Sequence, residues 1–360
     1  MNEPNLAQET AAAPAGKEHA GERPVYILAL ETSCDETAAS IVRDGTEILA
    51  NVVSSQIETH QRFGGVVPEV ASRKHVESIT WILQEALDQA QLHPSQLSAV
   101  AVTQGPGLVG ALLVGMVAAK AFACAWGLPL IGVHHIAGHI YANALVHQLQ
   151  YPFLSLVVSG GHTELVYVES EGRFRIIGQT RDDAAGEAYD KVARALKLPY
   201  PGGPHIDRLA LESEEALTLP RAWLEPDSYD FSFSGLKSAV LAALNSAAMK
   251  GQTLAPGAVA KGFQDSVTEV LVEKALRAVK AYGAKQLLLA GGVAANKGLR
   301  ARLEARCAKE GVPLLAPPHA LCTDNAAMIA AAAFLKYRRA QFASLDMKAD
   351  PQLKLEEWSV

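Results

Sequence analysis

One half of this 360-residue chain repeats the other. Gly105 and Gly291 each open a turn after an apolar run, 186 positions apart. Gly127-Leu-Pro-Leu-Ile and Gly311-Val-Pro-Leu-Leu match at a spacing of 184, and His135 and His319 share that spacing. An internal duplication constrains the fold more tightly than composition does, since the same architecture must be built twice. Each copy has the pattern of a three-strand meander followed by helix–strand–helix–strand. The first copy places strands at 25–30, 38–42, 47–54, 97–102 and 128–133, with helices over 69–90 and 108–126. The second places strands at 153–158, 164–168, 173–178, 286–289 and 312–315, with helices over 185–196 and 296–309. The expected fold class is α/β: two lobes with mixed sheets flanked by helices around a central cleft. The expected division is a disordered tail over 1–24, a first lobe over 25–133 and a second over 134–324. A helix at about 325–345 completes the first lobe, and 346–360 forms a C-terminal tail.

Inside that frame lies Val133-His-His-Ile-Ala-Gly-His-Ile-Tyr141. In a helix, His135 and His139 project from one face, one turn apart. Two histidines at that spacing hold one divalent metal if a third ligand arrives from elsewhere. Asp324 follows the glycine turn of the second copy as His135 follows that of the first, which makes it the natural third ligand; Cys322 is the competitor. Two histidines and a carboxylate with open positions suit Fe(II) or Zn(II). Asp324 also competes with Thr323 for the N-cap of the last helix.

Two polar turns face the same cleft in such a duplication, Thr32-Ser-Cys-Asp-Glu-Thr37 and Ser159-Gly-Gly-His-Thr163. Small residues let backbone amides approach phosphate oxygens. Asp35 and Glu36 would repel a phosphate, so they suggest acid–base or metal-assisted work. Leu288 to Asn296 feeds a glycine turn into a helix start, where a purine or ribose could lie and Asn296 could bind it or cap the helix. Asp190 is free of the ordinary Glu187–Lys191 helix pair. Pro201 to Asp207 is too rigid and small for routine solvent loop, and Phe231 to Lys237 alternates apolar and hydroxyl side chains.

Composition removes several classes. The formal charge of −6 argues against autonomous RNA binding. Four scattered cysteines without a CxxC argue against a zinc ribbon and for a reducing, cytoplasmic setting. The start lacks the apolar segment of a signal peptide. The apolar run from Leu108 to Trp126 carries Lys120, and the expectation is a buried helix, not a membrane span.

Taken together, several motifs resemble the TsaD/Gcp family over roughly Val25 to Leu335. They are His134-His-Ile-Ala-Gly-His139, Gly105-Pro-Gly-Leu-Val-Gly-Ala-Leu-Leu-Val-Gly115, Ser159-Gly-Gly-His-Thr-Glu164, Asp182-Asp-Ala-Ala-Gly-Glu-Ala-Tyr-Asp190, Phe231-Ser-Phe-Ser-Gly-Leu-Lys237 and Cys322-Thr-Asp-Asn325. The resemblance implies the duplicated fold of actin, sugar kinases and heat-shock chaperone ATPases. It implies transfer of threonylcarbamoyl from threonylcarbamoyl-AMP to N6 of the adenosine 3′ of the anticodon, in tRNAs reading codons that begin with A. It implies iron on His135, His139 and Asp324, with zinc as an alternative, and ATP, ADP or the acyl-adenylate in the cleft. Substrate contacts are implied at Val157, Val158, Ser159, Gly160, Gly161, Asp190, Gly203, Asp207 and Asn296, and an acidic pair at Asp35 and Glu36. Partners similar to TsaB and TsaE, and a TsaC-like source of the donor, complete the expectation. The rival readings are a metallopeptidase, which lacks the glutamate of HExxH, and an ATP-binding module, whose Mg²⁺ would sit on carboxylates and waters.

Overall fold

The computed structural model describes residues 23–358 and 360, so nearly all of the expected N-terminal tail lies outside the described residues. Two five-stranded sheets carry the duplication. The first contains β1 (Tyr26–Glu31), β2 (Glu36–Arg43), β3 (Glu47–Ser55), β4 (Ala99–Gly105) and β5 (Leu130–His134), in the order β3-β2-β1-β4-β5. The second contains β6 (Phe153–Val158), β7 (Thr163–Ser170), β8 (Arg173–Gln179), β9 (Leu287–Ala290) and β10 (Leu314–Leu315), in the order β8-β7-β6-β9-β10. In each, the meander is antiparallel and the two later strands join in parallel. β1 and β6 are apolar almost throughout because each pairs with a parallel neighbour and is covered on both faces.

Ten helices surround the sheets: α1 (Ile57–Gln61), α2 (Pro68–Ala90), α3 (Val109–Trp126), α4 (His135–Tyr141), α5 (Ala185–Ala195), α6 (Gly202–Glu212), α7 (Ser234–Met249), α8 (Pro256–Tyr282), α9 (Lys297–Glu310) and α10 (Ala326–Arg338). Proline opens α2 and α8, where a missing N–H costs nothing. Left-handed glycines at 127, 283 and 311 end α3, α8 and α9. By length and composition α3 is the one helix among the described residues apolar enough to cross a membrane. Here its small-residue face, Ala111, Leu112, Gly115, Met116 and Ala119, is buried against β4 and α2.

The sequence pattern gives no helix over α6, α7 or α8. Pro201 to Asp207, read as too rigid for routine solvent loop but not assigned to a helix, opens α6, whose first turn tolerates the glycines and proline at 202–204. In α8 the buried Gln264, Ser266, Thr268 and Lys274 interrupt the apolar stripe. Ser266 and Thr268 satisfy their hydroxyls on carbonyls one turn back, Gly262 and Gln264.

Between the two sheets lie α4 and α10, packed on each other and on strands of both. Every residue of α4 and the first eight residues of α10 are buried, so neither shows an amphipathic stripe there. Gly138 sets their closest approach: a Cβ there would sit 2.8 Å from Ile329 Cδ1. The described residues after Asp346 pack back on both sheets, and the Ile176 N–H of β8 donates to Glu356 at 3.0 Å. Trp358 Nε1 donates to the Gly132 carbonyl at 2.9 Å, and Leu355 is buried.

Glu164 on β7 is half-buried, and its buried Oε2 has no hydrogen-bond partner among the described residues. Burial, with Glu356 adding to it, pushes its pKa up to about 7. Between the ordinary glutamate value and about 7 the folded state holds the extra proton, so this group's contribution to stability falls as pH rises through that window. The expected size is on the order of 3 kcal/mol at most. Urea unfolding at pH 5 and pH 8 checks it: Glu164→Gln removes most of the difference and is the more stable protein at pH 8.

Candidate metal centre and cleft

The end of β5 and the start of α4 form a single polar junction. His134 Nδ1 accepts the Ile136 N–H at 3.1 Å and caps α4, which leaves Nε2 to donate to the Leu353 carbonyl at 2.9 Å. Burial pushes its pKa down to about 3, so the ring is neutral. His134 is thereby occupied, and the next two histidines face another way, with ring centroids 4.6 Å apart. At the start of α10, Asn325 is the cap, in place of the expected Thr323 or Asp324. Its side chain accepts the Met328 N–H at 3.1 Å and donates to the Thr323 carbonyl at 2.8 Å. That frees Asp324, whose Oδ1 lies 3.1 Å from His139 Nε2 and 3.6 Å from His135 Nε2.

One ligand atom from each of His135, His139 and Asp324 lies within 4.8 Å of the others. Among the described residues neither ring nitrogen of buried His139 has a hydrogen-bond partner, although Nε2 lies close to the Asp324 carboxylate. A buried imidazole nitrogen without a hydrogen-bond partner, beside a carboxylate, suits a metal ligand. The donor set fits a borderline divalent ion. Cys322 turns elsewhere: its sulfur meets the Arg300 guanidinium at 3.1 Å and the Pro318 carbonyl at 3.4 Å. Burial pulls the His135 pKa down, but the Asp324 and Glu31 carboxylates outweigh it and raise it to about 9. Burial likewise raises Asp324, and the two imidazoles overcome this and hold it below the usual carboxylate range.

Glu31 and Thr103 lie beside the centre without having been singled out in the sequence, and Ser33 and His162, read there only as members of the two polar turns, join them. Glu31 Oε2 lies 3.0 Å from His135 Nδ1, with Ser33 Oγ 3.1 Å from the same nitrogen. Thr103 donates to Glu31 Oε2 at 2.7 Å. His162 faces the cluster, and burial with the nearby histidines lowers its pKa to about 4. The available signal was a glutamate closing an otherwise apolar strand, since unpaired carboxylates are rarely buried.

Beside the centre is a cleft of about 660 Å³. Of the residues expected in it, Asp35, Glu36, Gly160, Asp190, Gly203, Asp207 and Asn296 line it. Gly160 and Gly161 are exposed, with open space beyond each Cα. The side chains of Val157 and Val158 are fully buried in β6, and Ser159 Oγ accepts the His162 N–H at 3.0 Å. Asp207 and Asn296 are already bonded within the protein. The Asp207 carboxylate accepts Lys297 N at 2.9 Å, Gly298 N at 3.1 Å and Gln264 Nε2 at 3.0 Å. Asn296 caps α9 through Leu299 N at 2.7 Å and donates to Gln264 Oε1 at 2.9 Å. Asp190 accepts Gly202 N at 2.7 Å. These three therefore shape the wall as well as present polar atoms to it. Burial first, then the charge of Asp35, pushes the Glu36 carboxyl well above its ordinary range. The segment from Phe231 is a strut: Phe231 and Phe233 are buried, and the Ser232 and Ser234 hydroxyls both donate to Asp182 at 2.6 Å.

The family model described as TsaD, tRNA N6-adenosine threonylcarbamoyltransferase, matches residues 47–331. The protein of that description from Bacillus cereus is 64% identical over 340 residues, 94% of this chain and 99% of that protein. The one from Halalkalibacterium halodurans is 63% identical over 330 residues, 92% of this chain and 96% of that protein. Among solved structures, full-length HypF in its phosphate- and nucleotide-bound form superposes with a TM-score of 0.60 at 15% identity, covering 89% of this chain and 47% of that one. The (R)-2-hydroxyglutaryl-CoA dehydratase component A of Acidaminococcus fermentans gives 0.53 at 16% identity, covering 88% and 99%. At these identities the structures speak to the fold alone.

Two outcomes are expected at the centre. Asp324→Ala and His139→Ala proteins purify with less than about a tenth of the wild-type metal content, measured by plasma mass spectrometry. Gly138→Val wedges α4 from α10, costs about 1–3 kcal/mol in urea unfolding, and weakens metal retention in the same sample.

Proposed function

This chain belongs to the TsaD family of tRNA N6-adenosine threonylcarbamoyltransferases, and from that premise we propose how its cleft performs the transfer. The fold is the duplicated one of actin, sugar kinases and heat-shock chaperone ATPases, and the substrate is a tRNA. The donor is threonylcarbamoyl-AMP, lying in the cleft between the Gly160–Gly161 turn and the start of α9. The acceptor is N6 of the adenosine 3′ of the anticodon, in tRNAs reading codons that begin with A. The observation that carries this reading is the juxtaposition of a His–His–Asp cluster, an open glycine turn and an acidic pair at one cleft.

The amine nitrogen attacks the carbamoyl carbon, a C–N bond forms, and the C–O bond to the AMP phosphate breaks. The amine loses a proton and AMP leaves as the phosphate anion. His135, His139 and Asp324 would hold the divalent ion, with iron favoured over zinc. The chemistry such an ion supplies when bound is Lewis-acid polarisation of the threonylcarbamoyl group. Gly160 and Gly161 are exposed, with open space where a side chain would stand, so a ligand can approach the turn closely enough for its amides to face developing negative charge. Asp35 or Glu36 takes the amine proton. Glu36 is suited because burial and the Asp35 charge make its carboxylate a stronger base than an exposed one. Val157 and Val158 serve through backbone atoms, and Ser159, Asp190, Gly203, Asp207 and Asn296 place the adenylate.

The net charge of −6 supports a tRNA surface completed by protein partners, of the TsaB and TsaE kinds, with the donor made by a TsaC-like enzyme in the cytoplasm. Val76 on α2 and Val109, Leu113 and Val117 on α3 are large apolar side chains left exposed, which suits a protein partner. With partners present, transfer of labelled threonylcarbamoyl to tRNA tests the account. Glu36→Gln slows the chemical step about 10²–10⁴-fold while metal content stays at wild type. A normal rate removes Glu36 from the mechanism, and the same assay on Asp35→Asn decides its neighbour.

A further inference from the structure

We propose that Glu31 is a positioning residue for the metal centre: by accepting the Nδ1–H of His135 it reserves the Nε2 lone pair for the ion. The proposal rests on reading His135, His139 and Asp324 as metal ligands. Glu31 closes β1 and has no exposed surface. Its Oε2 lies 3.0 Å from His135 Nδ1 and accepts the Thr103 hydroxyl at 2.7 Å, while Oε1 accepts the Ser33 N–H. Both oxygens are engaged, so the carboxylate cannot turn away from the ring. A carboxylate in this place only accepts, so Nδ1 must donate. The nitrogen left over is Nε2, the one that faces Asp324 at 3.6 Å.

His139 offers the contrast. Its Nδ1 is buried, with no hydrogen-bond partner among the described residues. The centre therefore has one histidine anchored by a carboxylate and one held by packing between α4 and α10. A carboxylate behind a ligating imidazole fixes the ring and makes it a better donor, and loss of such a partner usually weakens metal binding 10–100-fold. The anchor also connects the ion to the Thr32–Thr37 turn, because Ser33 touches both Glu31 and His135.

The test is zinc uptake by the full chain in competition with a chromophoric chelator, for wild type, Glu31→Gln, Glu31→Ala and Thr103→Val. Thermal melting of each metal-free protein runs in parallel. Glu31→Ala is expected to raise the zinc Kd about 10–100-fold. Glu31→Gln raises it less, because an amide oxygen still accepts the Nδ1–H, and Thr103→Val, which only loosens the carboxylate, least. In the zinc-loaded wild type, nitrogen-15 NMR places the His135 proton on Nδ1. A wild-type Kd in both Glu31 variants, with metal-free melting unchanged, overturns the proposal. If Glu31→Ala fails to fold, the Glu31→Gln and Thr103→Val affinities decide by the same criterion. A wild-type chain that takes up no zinc or iron overturns the underlying ligand reading, and the same titration separates that result from the first.

Discussion

The packing of α4 on α10 between two sheets is the contact on which the rest depends. Each helix follows the last strand of its copy of the fold, and each is enclosed by apolar side chains from both halves. Enclosure of α4 on all sides, and of α10 along its first eight residues, fixes the axial positions of both helices, since a packed interior leaves little room to slide. The residues proposed as ligands exploit that rigidity. Two come from the first turns of α4 and one from the residue before the cap of α10, so the centre closes only when these two helices are correctly packed. Small side chains make it possible: Gly138 and the alanines of α10 let the backbones approach.

The division of labour among the histidines follows from burial and caps, not from the motif. In His134-His135 the first ring is a neutral cap and the second carries a raised pKa beside two carboxylates. Adjacent residues of one type thus take opposite electrostatic roles. The same logic separates the two aspartates at helix starts. Asp324 is released by Asn325 and faces the imidazoles, whereas Asp207 is held by the backbone N–H groups that open α9. Its carboxylate steadies the helix whose first residues border the cleft.

Much of this was legible in the chain. The 184-residue spacing between His135 and His319 carried the topology, because a duplicated strand order leaves duplicated turns at fixed distances. The histidine pair and Asp324 were readable because helical spacing and the repeat both point to them. Where local signals misled, the reason is physical. Gly202, Gly203 and Pro204 break helices in mid-course but open α6 harmlessly. α8 stands before β9 as α2 stands before β4, but α5, α6 and α7 come between it and the meander, and buried polar residues blur its periodicity. Glu31, Thr103 and His162 matter through contacts between residues far apart in the chain, and no local pattern encodes such contacts.

The central claim is that residues from the two halves of the repeat share one ion. X-ray absorption at the metal edge of the loaded full chain tests it most directly. The account predicts two imidazole nitrogens and carboxylate oxygen at about 2.0–2.2 Å, with no sulfur. A sulfur shell at about 2.3 Å, or a first shell without imidazole scattering, would contradict it.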